Sequence, residues 1–220
     1  MSHSHSKSDC PCPHENGKEA ASSEIGQSID LGAQRLGFMQ EACRLATESV
    51  ERGLGGPFGA VIVKDGQIIG RGQNRVLLTG IPVFHAEIMA IIDACQRINP
   101  KPELNPNQLS GTTLELIARQ AGDEDTAPAR ARMLKGCELY SSAAPCPMCL
   151  SAIYWARIDR VYFAANVEDA REIGFDDAFQ YEDFAHAPEL RRLEMIAGFG
   201  YEMGLAAFEA WRQKKNRHPY

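Results

Sequence analysis

The chain has 220 residues, 44% of them hydrophobic and 24% charged, which is enough apolar material for one well-filled core and too little length for two comfortable domains. Its net charge of −6 disfavours a broad polyanion-binding surface and points to a small-molecule task. No apolar run reaches the roughly 18 residues of a membrane span, and the start MSHSHSKSDC has no apolar signal region, so a soluble, cytoplasmic protein is expected, whose seven cysteines suggest metal or catalysis before disulfides.

Residues 1–30 are rich in Ser, His, Glu and Gly and read as a disordered tail. Its His3, His5, Cys10, Cys12 and His14 have the composition of a metal tract and read most simply as incidental chelators. From Leu36 the positions Leu36, Met39, Cys43, Ala46 and Val50 recur at helical spacing, and Gly53 stops the run. In GGPFGAVIVKDGQIIGRG two apolar stretches flank Asp65-Gly66, a strong hairpin signal. Pro82 precedes a helix over His85–Arg97, with Ile88, Ile91, Ile92 and Cys95 on one face. Residues 99–136 are broken by prolines, hold a short helical stretch around Leu114–Ala121 and read as an insertion. CELYSSA then reads as a strand, Pro147–Arg157 as a helix and RVYFAAN as a strand. An acidic region follows over 168–183, and the last helix runs over roughly 205–216. Strands alternating with helices after an opening hairpin imply an α/β layered domain over residues 31–220 with a mixed sheet.

Two motifs carry the chemistry. His85-Ala86-Glu87 and Pro145-Cys146-Pro147-Met148-Cys149 each open a helix, and Pro147 suits a first helical turn. Two cysteines three apart lie on adjoining faces of that turn, where the helix N-terminus favours thiolates. One imidazole and two thiolates make three zinc ligands and leave a fourth position for water, the pattern of a catalytic site. Glu87 beside it can carry protons. Taken alone, CxxC also reads as a redox pair or half a zinc knuckle, and HxE as an ordinary helix start. Together they match the known H-x-E…P-C-x-x-C signature of zinc deaminases acting on bases. Cys43, Cys95 and Cys137 sit in apolar settings and read as buried bystanders.

With these motifs the sequence resembles the cytidine deaminase-like superfamily, and within it the bacterial guanine deaminases. GGPFGAVIVKDG, GQNRV, HAEIMAI, PCPMCLSAIYWAR, GFDDAF and AFEAWRQKK follow that pattern in order, over about residues 36–98 and 137–220. The resemblance implies a three-layer α/β/α fold with a central mixed five-stranded sheet. It implies one zinc per subunit on His85, Cys146 and Cys149, with Glu87 as the proton shuttle. It further implies that Phe58 stacks on a purine ring, Asn74 orients it, Trp155 lines the pocket and Asp177 contacts the reacting edge. A homodimer with a swapped C-terminal segment is implied too, placing Tyr220 over the neighbour's pocket. Read from residues alone, Phe58 and Trp155 are equally core aromatics, Asn74 a turn residue and Asp177 a helix cap.

The expected reaction is hydrolytic deamination of a free purine base, guanine to xanthine and ammonia. Guanosine, isocytosine or an aminotriazine are alternative substrates. Adenosine in tRNA is another, disfavoured because residues 168–183 hold seven acidic residues against one Arg; a non-catalytic zinc module stands last. Two features depart from the family: Ala143-Ala144 replaces its usual Cys-Glu pair, and the 99–136 insertion lengthens the separation between the two zinc motifs.

Overall fold

The computed structural model describes residues 17–98, 133–215 and 217. The metal-tract residues His3 to His14, the helical stretch expected around Leu114–Ala121 and Tyr220 lie outside the described residues. The chain falls into two compact units, Met1–Gly37 and Phe38–Tyr220. A long helix, α1, runs over Gly17–Glu51. It therefore begins well before the periodic run at Leu36, within the residues read from composition as a tail.

The second unit is built on four strands: β1 (Gly59–Lys64), β2 (Gln67–Gln73), β3 (Cys137–Ala143) and β4 (Arg160–Ala165). They lie in the order β2-β1-β3-β4, with β3 and β4 parallel and the other pairs antiparallel. The hairpin between β1 and β2 turns at Asp65 and Gly66, both at positive φ (49° and 72°), the left-handed pair that a two-residue hairpin loop requires. The five-stranded sheet expected from the resemblance is thus four-stranded among the described residues. Past β4 the Asn166 side chain and Asp169 form a capping box, which commits the chain to helix rather than to another strand.

The remaining helices are α2 (Val76–Thr79), α3 (Ala86–Ile98), α4 (Pro147–Ala156), α5 (Val167–Glu172), α6 (Ala178–Ala185) and α7 (Tyr201–Gln213), with a single 3₁₀ turn at Pro188–Leu190. Alternation along β1 divides the core in two. Ala60 and Ile62 pack with Leu139 against Ala86, Ala90 and Ala94 of α3 and Ile153 of α4. Val61, Val63 and Tyr140 pack against Ala42 and Leu45 of α1, with Phe38 and Met39 at the margin. The sheet is covered on both faces, giving the three layers expected. On α1 the buried face is Ala42, Leu45, Ala46 and Ser49, while Leu36 and Val50 are exposed. This face is rotated by about one residue from the expected stripe. The helix backbone lies so close to β1 that a Cβ on Gly59 would stand 2.2 Å from the Ala42 carbonyl oxygen, which requires glycine at that position.

Among the described residues no helix is long and apolar enough to cross a membrane. Of their cysteines, Cys43, Cys137, Cys146 and Cys149 form no disulfide. Cys137 is buried as expected, whereas Cys43 and Cys95 are only partly so.

Candidate metal and substrate site

Two helix starts converge beside β3. His85 immediately precedes α3, and its carbonyl accepts the Met89 N–H (3.0 Å) as the helix begins. Cys146 is the N-cap of α4 and its sulfur accepts from the Cys149 N–H at 3.5 Å, with Pro147 in the first turn. Each helix thus delivers its donors from its positive end.

The His85 Nδ1 lies 3.5 Å from Cys146 Sγ and 3.5 Å from Cys149 Sγ. The three donor atoms all fall within 4.8 Å of one another. Ligand bonds of about 2.0–2.1 Å to nitrogen and 2.3 Å to sulfur, at tetrahedral angles, place nitrogen about 3.5 Å from sulfur. Both nitrogen–sulfur separations therefore match those of a tetrahedral zinc site. A hydrogen bond from Cys149 pulls the Cys146 thiol down to about 4, and His85 acts in the same direction. The same sharing pushes the Cys149 thiol up, and burial adds to it. The Cys146 partner also raises the pKa of His85.

Glu87 is buried, and burial raises its pKa. Its Oε2 accepts from Cys149 Sγ at 3.4 Å and its Oε1 from the Ser141 hydroxyl at 3.4 Å. A carboxyl held out of water beside the metal donors is suited to carrying a proton.

A cavity of about 620 Å³ opens over these groups and is lined by His85, Glu87, Cys146, Phe58, Asn74 and Asp177, among others. Asn74 is buried; its Oδ1 accepts from the N–H groups of Gly56 (3.3 Å) and Val76 (3.1 Å). With its oxygen committed, the amide nitrogen is the group it offers to a ligand. Phe58 meets Phe175 edge-to-face, ring centroids 4.9 Å apart. Asp177 presents a buried Oδ1 that has no hydrogen-bond partner, and burial raises its pKa.

Seven of the nine expected site residues, His85, Cys146, Cys149, Glu87, Phe58, Asn74 and Asp177, thus gather here. Trp155 does not line this cavity. It is 61% exposed and lines a separate depression with Ser151, Tyr154 and Arg157. Cys149 and Ile153 give α4 its inner face, and a residue two beyond Ile153 points away from it. Phe175 and Gln180 line the cavity without having been singled out. Phe175 lies within GFDDAF, two residues before Asp177. Ala144, the small residue at the family's Glu position, also lines the cavity.

A family model described as the cytidine and deoxycytidylate deaminase zinc-binding region matches residues 33–165. Guanine deaminase of Bacillus subtilis is 40% identical over 183 residues, 83% of this chain and 97% of that protein. The X-ray structure of guanine deaminase from Bacillus subtilis superposes with a TM-score of 0.64, at 40% identity, over 83% of this chain and 96% of that one. The tRNA-specific adenosine deaminase of Aquifex aeolicus is 34% identical over 128 residues, 58% of this chain and 64% of that protein.

Proposed function

The chain belongs to the cytidine and deoxycytidylate deaminase zinc-binding family, and within it we propose that the protein hydrolyses a free purine base, guanine, to xanthine and ammonia. The observation that carries this reading is the set of His85, Cys146 and Cys149 donors at zinc distances, with the buried Glu87 carboxyl beside them. The likeness to a guanine deaminase over nearly that protein's whole length supports the choice of base. Residues 31–220 are read as the deaminase domain, with 99–136 inserted in it.

His85, Cys146 and Cys149 hold the zinc, which when bound supplies a water acidified to near neutrality. Phe58 stacks on the base, and its edge-to-face partner Phe175 keeps its ring from turning. Asn74 donates from its amide nitrogen to an acceptor on the ring, its oxygen being fixed by two backbone N–H groups. Glu87 takes one proton from the attacking water and passes it to the ring nitrogen. It then takes the second from the newly added hydroxyl and passes it to the exocyclic amine, which leaves as ammonia when its bond to carbon breaks. Asp177 accepts from the exocyclic amine through its unpartnered oxygen. Guanine presents N–H donors along that edge, which is the partner a buried bare acceptor requires.

Purified protein is expected to release ammonia from guanine, with xanthine as product. Glu87→Ala should lower the rate by about 10²–10⁴-fold, the usual worth of a proton-transfer group, while zinc remains at one per chain. Full activity in that variant overturns the mechanism, and preferential release from guanosine, isocytosine or an aminotriazine overturns the substrate. The acidic residues 168–183, of which Asp176 and Asp177 wall the cavity, disfavour a tRNA substrate.

We further propose a homodimer in which the segment after His186, ending at Tyr220, covers the partner's pocket. The apolar residues of that segment support it, since Leu190, Leu193, Ile196, Phe199 and Met203 are all exposed in the single chain. The unpaired thiols of Cys43 and Cys137 support our proposal of a cytoplasmic location.

A further inference from the structure

Two prolines, Pro145 and Pro147, flank the ligand Cys146 and remove two N–H donors from the turn that carries it. Ahead of Cys146 the turn is held at two points. The Ala144 N–H donates to the Ala165 carbonyl at 2.9 Å, and the buried Pro145 carbonyl accepts from the Tyr181 hydroxyl at 2.7 Å. Tyr181 belongs to α6, thirty-six residues away in sequence, and its ring is 40% exposed while its hydroxyl turns inward. Asp177 is the N-cap of the same helix. Residues four apart share a helix face, so the residue anchored to the metal turn and the residue offering its carboxylate to the cavity lie one above the other.

We propose that Tyr181 is a positioning residue of this site: its hydroxyl pins α6 to the carbonyl preceding Cys146 and so fixes Asp177 relative to the metal-binding turn. Asp177 contributes no cap hydrogen bond from its side chain, its buried Oδ1 has no partner and its carbonyl accepts from Gln180 of the same helix at 3.0 Å, so where it stands follows the placement of α6. A ligand bridging the metal donors and Asp177 needs that separation constant, and misplacement by about 1 Å costs up to about 10²-fold in rate. The proposal rests on the deaminase reading for its kinetic consequence and on geometry alone for the tether.

Tyr181→Phe in the zinc-loaded full-length protein tests both, because it removes the hydroxyl and keeps the ring. Hydrogen exchange should quicken by about tenfold in peptides covering 144–151 and in those covering 174–181, and stay unchanged in β1, β2 and α3. With guanine, kcat should fall about tenfold while KM stays within about twofold, zinc still binding at one per chain. Unchanged exchange in either segment overturns the tether. An unchanged kcat in an enzyme whose parent deaminates guanine overturns the positioning role, as does a loss that tracks lost zinc or a variant that fails to fold. A parent protein inactive on guanine would remove the deaminase reading, and the exchange measurement would still decide whether Tyr181 joins the two segments.

Discussion

At the scale of the residue, the site depends on side chains that are absent as much as on those present. A Cβ on Gly55 would stand 2.0 Å from Asn74 Oδ1, too close for any rotamer to relieve without moving the carboxamide. Gly55→Ala is therefore expected to displace Asn74 and raise KM for guanine by about tenfold, the loss of roughly one hydrogen bond. Steady-state kinetics check this, and the melting temperature should fall too, because Asn74 also bonds the Gly56 and Val76 backbone. The metal donors were legible in sequence because HxE and PCxxC are local patterns whose spacing states their geometry. Phe175 and Tyr181 were not, because each acts on a partner far along the chain: Phe175 on Phe58 and Tyr181 on Pro145. No spacing rule reaches that distance. Trp155 is the converse case, a local position whose outward direction only the fold reveals. A residue carried over from a resemblance kept its place on the helix while the helix turned it outward.

At the scale of the element, the strands and the two helices that carry the metal donors agreed closely with the pattern of side chains. CELYSSA is β3 throughout, and the Asp65-Gly66 hairpin falls where the turn chemistry put it. Long helices fared worse at their ends. Apolar spacing begins only at Leu36, whereas α1 starts at Gly17 through residues with no apolar stripe. One tie of α1 to the sheet makes an electrostatic prediction. Glu41 Oε1 accepts from Arg71 Nε of β2 at 2.9 Å, and the Glu41 carboxylate also pairs with Arg44 at 2.7 Å. The Arg44 hydrogen bond, with Arg71 helping against desolvation, lowers the Glu41 pKa from 4.5 to about 2. A depressed carboxylate pKa means stability that is present above 4.5 and lost as pH falls towards 2. These groups are largely solvated, so the contribution is at most about 1 kcal/mol. Glu41→Gln should accordingly lower the urea midpoint slightly near pH 7, and the gap between variant and parent should narrow at about pH 3. A gap that persists or widens in acid would show that the loss is one of packing and not of charge.

At the scale of the whole molecule, the single chain leaves an apolar surface that a soluble monomer rarely carries. Beyond α6 the chain is set on its course by the Arg192 N–H donating to Asp183 Oδ1 (2.9 Å) and by Arg191 donating to the His186 and Phe184 carbonyls. From there Leu190, Leu193, Ile196, Phe199, Met203, Phe208 and Trp211 are exposed, Phe199 by 96%. On α4 and β4 another group stands open: Tyr154, Trp155 and Phe163. Each large apolar side chain brought from water to an interface contributes about 1.5–3 kcal/mol, so a second copy covering even part of this surface would be held firmly. The protein should therefore sediment as a dimer at micromolar concentration. Ile196→Asp with Phe199→Asp places two charges in the covered surface, where unpaired charges are costly. That double variant should sediment as a monomer, keep its zinc, since His85, Cys146 and Cys149 come from one chain, and lose at least about tenfold in activity because its pocket lacks the partner's cover. A monomeric parent, or a double variant that stays dimeric and fully active, would instead place the apolar segment back on its own chain.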